Sequence, residues 1–93
     1  MNLAKASNIF KAFSDEKRLK IIKILSEGEL CACELLEEFN FSQSGLSYQM
    51  KILCDSNIVN ARPEGKWTFY SINEEGCFEA IESLKNITNL KEL

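Results

Sequence analysis

Histidine is absent from the 93 residues, and proline occurs once. The first absence removes the imidazole donors on which zinc and nickel sites usually draw. Long apolar runs are missing too. Ile21-Ile22-Lys23-Ile24-Leu25 is short and broken by a lysine, far from the ~20 residues of a bilayer span. The opening stretch MNLAKASNIF has no apolar core of the signal-peptide kind, so the chain is expected to stay in the cytoplasm. Internal repeats, low-complexity tracts and linkers are absent. No C-x-x-C pair sits beside a βαβ pattern, which speaks against a thiol oxidoreductase or metal carrier and for a protein that is no enzyme. A disulfide framework is unexpected in a compartment that keeps thiols reduced. The four cysteines are therefore expected to bind metal, to be redox-active, or to be buried filler.

What is present is an ordinary globular composition, 45% apolar and 27% charged, on a chain of a size for one domain over residues 1–93. A domain this small buries only about 60–65% of its unfolded surface, so dimerisation is an expected source of further core. The net charge of −3 is uneven. Residues 1–25 hold six basic and two acidic groups, residues 26–39 five acids and no base, and residues 73–93 five acids and two lysines. Between them, residues 40–72 carry Lys51, Arg62 and Lys66 against Asp55 and Glu64, a net +1. An acidic chain argues mildly against nucleic-acid binding, but this distribution leaves one slightly positive segment free to do it.

Leu3, Ala6, Phe10 and Phe13 recur at helical spacing and predict a first helix over 2–13. Ser14 is placed to cap a second helix with Leu19, Ile22 and Leu25 on its apolar side, closed by Gly28. Ala32, Leu35, Leu36 and Phe39 predict a short third helix ended by a left-handed Asn40. After a turn of about three residues, Ser42 caps a fourth, with Phe41 stapled to Leu46 and with Leu46, Met50 and Leu53 buried. Residues 58–72 read as a two-stranded hairpin turning at Arg62-Pro63-Glu64-Gly65 as a type I turn. Asn73 caps a last helix, with Glu74 and Glu75 at its positive end and Phe78, Ile81, Leu84, Ile87 and Leu90 as its apolar row. The predicted fold is mainly α with a small β-hairpin, in the order α-α-α-α-β-β-α. This is a winged helix-turn-helix, with the helix-turn-helix over about 31–56 and the wing over about 58–72.

Two of the four cysteines stand one residue apart, in Cys31-Ala32-Cys33 at the start of the third helix. If Ala32 centres that helix's buried stripe, the two thiols lie about 100° to either side of it on a regular helix. An ion gripping both sulfurs would then have to loosen the first turn, and with it the support of the fourth helix. Thiolate suits soft ions: As(III), Sb(III), Bi(III), Cd(II) or Pb(II). A low thiol pKa is not expected, because Glu27, Glu29 and Glu34 surround the pair and no Lys or Arg lies between Lys23 and Lys51. Cys54, beside Leu53, and Cys77, within reach of Ile72, read as filler. The spacings from Cys33 to Cys54 and on to Cys77 do not make the paired knuckles of structural zinc.

Three stretches, ELCACELLEEF at 29–39, FSQSGLSYQMKIL at 41–53 and GKWTFYSI at 65–72, resemble the ArsR/SmtB family of dimeric bacterial repressors, above all its arsenic-responsive branch. FSDEKRLKIIKIL at 13–25 is similar to the helix that precedes them there. The resemblance implies a homodimeric repressor that needs no cofactor to fold, sits on double-stranded operator DNA, and leaves when As(III), Sb(III) or another soft ion binds Cys31 and Cys33. Where many arsenic repressors carry a third cysteine, this chain has Leu36 or Glu27. The third ligand is unassigned, with Cys54, Cys77 or a small exogenous thiol as the candidates.

A fourth helix in the major groove would present Gln43, Ser44, Ser47, Tyr48 and Lys51, and Arg62 and Lys66 would flank the wing tip against phosphates or a minor groove. The family motif SQ-x-x-LS is DNA-facing at the matching positions. Three positive charges per reading unit predict a modest salt dependence, doubled in a dimer on a palindromic site. The first and last helices are the expected dimer surfaces, and no membrane partner is expected. Two other readings stay open. One is a repressor that senses oxidant or persulfide by cysteine crosslinking, and the other is a winged helix used only for protein contacts.

Overall fold

A computed structural model describes residues 2–91. Its elements are α1 (Leu3–Ala12), α2 (Glu16–Leu25), β1 (Leu30–Cys31), α3 (Ala32–Glu38), α4 (Gln43–Asp55), β2 (Val59–Glu64), β3 (Trp67–Ile72) and α5 (Glu74–Thr88). The order is the expected one with a two-residue strand added before α3. That strand makes the wing a three-stranded antiparallel sheet, ordered β1-β3-β2.

The caps show why these segments are helices. Ser42 Oγ accepts the Gly45 N–H at 3.0 Å, and Asn73 Oδ1 accepts the Gly76 N–H at 2.9 Å. Each such cap stabilises its helix by about 1 kcal/mol. At α2 the expected cap is displaced by one residue. Asp15 accepts the Arg18 N–H at 3.2 Å, while the Ser14 hydroxyl donates back to the Lys11 carbonyl at 2.8 Å. Gly28 closes the end of α2, its N–H donating to the Leu25 carbonyl at 3.0 Å.

The displaced cap rotates α2. Ile21 and Leu25 are buried with Arg18, and Leu19, expected inside, is exposed. Arg18 is 7% exposed and its charge is fully engaged. Nε donates to Ala12 O at 3.2 Å, Nη2 to Lys11 O at 3.0 Å and Nη1 to Gln49 Oε1 at 2.7 Å. A cation at the carbonyl end of α1 is favourable, and every donor nitrogen has a partner, which is what makes the burial tolerable.

The core runs through Ile9, Ala12, Ile21, Leu25, Leu35, Leu46, Met50, Leu53, Ile58, Val59 and Ala80. Two turn assignments differ from expectation. Asn40 does not take a left-handed conformation, since Asn57 and Asn89 are the non-glycine residues with positive φ among those described. The chain leaves α3 through an extended Phe39 (φ −121°, ψ 148°), whose ring packs 5.5 Å from that of Phe41. The wing turns at Gly65-Lys66 rather than at 62–65, because Glu64 pairs with Trp67. Gly65 has φ +62°, suited to a two-residue hairpin loop, and Pro63 lies within the edge strand β2, where a missing N–H costs nothing.

The last helix buries Gly76, Ala80 and Ser83 and leaves Phe78, Ile81, Leu84 and Ile87 exposed, with Leu90 exposed just beyond its end. The whole predicted apolar row of α5 thus lies outside the protomer's own core. Leu3 on α1 is exposed as well, at 66%. No described helix is long and apolar enough to cross a membrane.

Candidate thiol pair and nucleic-acid face

Cys31 is the N-cap of α3 and the last residue of β1, with an extended backbone at φ −84° and ψ 161°. Residues two apart share a side in extended chain, whereas on a helix they diverge. The two sulfurs of Cys31 and Cys33 accordingly meet in disulfide contact, with Cα atoms 5.4 Å apart and α3 intact from Ala32 onward. This corrects the premise that both thiols lie on one regular helix, since Cys31 stands before α3. The pair spans the strand–helix junction, and the junction already supplies the bend. Cys31 is also more buried than expected, at 5% exposure, while Ala32 is only half-buried and Leu35 carries the stripe into the core.

Glu34 holds the junction in place. Its carboxylate accepts the Cys31 backbone N–H at 2.9 Å, a reciprocal contact of the capping-box kind. On the other side β1 is stitched to β3 in the register Leu30↔Tyr70 and Cys31↔Phe69, and β3 to β2 with Arg62↔Phe69. Side chains alternate across a sheet. Leu30 and Tyr70 face the core, and Cys31, Phe69 and Arg62 share the other face.

Arg62 lies back on β2 and not at the wing tip. Its guanidinium stands 4.8 Å over the Phe69 ring, donates to Glu29 through Nε at 3.2 Å and Nη2 at 2.8 Å, and pairs through Nη1 with Glu64. The bond from Arg62 holds the Glu29 carboxyl below the usual carboxylate range, with the nearby positive charge adding to it.

The other two thiols lie apart from the pair. Cys54 and Cys77 are both half-buried against the core. Burial pushes the Cys54 thiol above its ordinary value, helped by the charge of Asp55. Cys77 is raised in the same way by burial and by Glu74. In both, burial opposes ionisation of the thiol. Among the described residues no group of three or more His, Cys, Asp or Glu is placed to hold a metal ion, so neither Cys54 nor Cys77 is brought to Cys31 and Cys33.

The α4 face is as the pattern suggests. Leu46, Met50 and Leu53 point inward, and Gln43, Ser44, Ser47, Tyr48 and Lys51 are all exposed. Tyr48 is 63% exposed, and Lys51 shares its charge with Asp55 at 3.1 Å. Lys66 is exposed in the wing loop with its Nζ 5.8 Å from the centre of the Trp67 ring.

Periodicity could not find three participants. Arg18 sits on a face that should be apolar, and its link to Gln49 joins residues 31 positions apart. Glu29 belongs to an acidic block that reads as solvated surface. Exposed Trp67 reads as a strand residue.

Comparison with known proteins bears on all of this. The model of a family described as "Bacterial regulatory protein, arsR family" matches residues 15–61. The chain is 45% identical over 89 residues to an arsenical resistance operon repressor of Staphylococcus aureus, covering 96% of this chain and 85% of that protein. To the repressor of the same description from Staphylococcus xylosus it is 48% identical over 75 residues, 81% and 72% of the two chains. Among solved structures, HlyU from Vibrio cholerae superposes with a TM-score of 0.74 at 35% identity, over 92% of this chain and 94% of that one. The chain belongs to the arsR family of bacterial regulatory proteins, and it is a transcriptional regulator rather than an enzyme.

Proposed function

We propose that two copies of this chain, joined through α1 and α5, repress transcription from a palindromic operator in the cytoplasm, and that binding of As(III) or Sb(III) at Cys31 and Cys33 releases them. The observation that carries this is the convergence of the two sulfurs at the β1–α3 junction, next to the helix that precedes α4. The names of the two staphylococcal relatives support the same class of signal.

As thiolates, the two cysteines offer one soft ion a pair of ligands without reshaping α3. Cys54 and Cys77 of the same chain do not join the pair, and a small exogenous thiol serves as the third ligand. Gln43, Ser44, Ser47, Tyr48 and Lys51 read the major groove, and Lys66 holds a phosphate at the wing. The exposed apolar row of α5 supports the dimer, since so large a patch is unusual on a monomer.

Operator anisotropy titrated with arsenite tests the reading. Cys31→Ser and Cys33→Ser should each bind DNA like the parent and fail to release. If both still release at the parent's arsenite concentration, the thiol assignment is wrong. Antimonite, cadmium and lead in the same assay rank the ions.

A second reading has one observation in its favour, the disulfide contact itself. In it, an oxidant or persulfide closes the pair and no ion binds. Intact mass separates the two: oxidation removes two hydrogens from the released protein, whereas a bound ion adds its own mass in a native spectrum.

A further inference from the structure

We propose that the Glu29–Arg62 clasp carries occupancy of the thiol pair to the wing, which makes Arg62 a positioning residue and not a phosphate contact. The inference rests on the release reading above.

Three observations lead there. First, three of the five guanidinium N–H donors are already taken. Nε and Nη2 are committed to Glu29, Nη1 to Glu64, and the flat face to Phe69. A DNA phosphate there would meet a charge already shared with two carboxylates. Bidentate, stacked geometry is the kind in which a surface ion pair is more than incidental.

Second, the clasp begins two residues before Cys31 and ends on the strand whose Arg62 faces Phe69. Phe69 is the register partner of Cys31 as well. Cys31 and Arg62 therefore stand on the same face of the sheet, on the two strands that border β3, with Phe69 between them in register.

Third, β1 has only two residues and is paired on one side only. A change at the Cys31 sulfur is resisted there by few backbone bonds, and Glu29 moves with it. With Cys31 outside α3, the short strand and its clasp are the compliant route out of the site. The wing, which also holds Lys66, is where that route ends.

The test uses Glu29→Gln, Arg62→Gln and the double variant as full chains under reducing conditions. Trp67 is the single tryptophan and lies in the wing, so its fluorescence reports the wing without DNA. Near-UV absorption of sulfur–arsenic bonds reports arsenite at the pair.

In the parent, arsenite should shift Trp67 emission and weaken operator binding. Each variant should bind arsenite and, without it, the operator like the parent. The Trp67 shift should be lost, and the arsenite-induced fall in operator affinity should shrink by about fivefold. The double variant should match the singles, because all three break one link.

Two results overturn the clasp. One is an unchanged arsenite response in the variants. The other is weaker operator binding with a salt slope reduced by about one in Arg62→Gln but not in Glu29→Gln, the mark of a phosphate contact. A parent that binds arsenite yet stays on DNA would sink the release reading instead, and the Trp67 response would still decide the clasp.

Discussion

The chain's four cysteines fall into two pairs of opposite character. Cys31 and Cys33 meet across a strand–helix junction, the Cys31 backbone tied by Glu34 and by β3. Cys54 and Cys77 sit singly within helices, half-buried, with burial holding each thiol protonated. The residue type is the same, and backbone conformation separates the roles. An extended cap lets two sulfurs converge, whereas a helix interior turns a thiol into packing.

The largest effect is expected next to Cys77. A Cβ on Gly76 would overlap the Asn57 carbonyl oxygen, backbone that cannot step aside. Gly76→Ala should cost more than about 3 kcal/mol in a denaturant titration. By contrast, Cys31→Ser should leave the denaturation midpoint close to the parent's, because serine is a favoured residue at this N-cap and offsets the loss of the buried thiol, while removing the whole arsenite response, a coupling of about 1–3 kcal/mol.

Cys54→Ser should show the reverse pattern. It should lose about 1 kcal/mol of stability and keep the full arsenite response. Its thiol also predicts a pH effect. The unfolded chain ionises Cys54 near its ordinary 9.0, and the folded chain only above that. The folded state therefore holds more protons as pH climbs past 9, so this contribution to stability is complete below pH 9 and is lost at higher pH. Cys54→Ala should flatten that alkaline decline, read as midpoint against pH. The smallest effect is expected at Glu34→Ala, which removes the acceptor for the Cys31 N–H. A loss of about 0.5–1 kcal/mol and a weaker hold on arsenite should follow.

Much of this was legible in the residues. Ser42 and Asn73 announce α4 and α5, and the exposed polar face of α4 follows from helical spacing alone. What escaped has physical causes. Arg18 is buried because the Lys11 and Ala12 carbonyls and Gln49 satisfy it, partners that only the folded chain brings together. Pro63 looks like a turn residue, and an edge strand tolerates it. The thiol pair is plain in the sequence and its geometry is not, because helical periodicity assigns no extended cap. Arg62, a natural phosphate binder by composition, is claimed by Glu29, which lies 33 residues away in the chain.

Arsenite binding to two proteins, followed by near-UV absorption, tests most directly which sulfurs form the sensor. With Cys54→Ser and Cys77→Ser combined, one ion per chain should bind as tightly as in the parent. With Cys31→Ser, that binding should vanish. Retained binding in the second protein, or its loss in the first, would contradict the assignment of the junction pair.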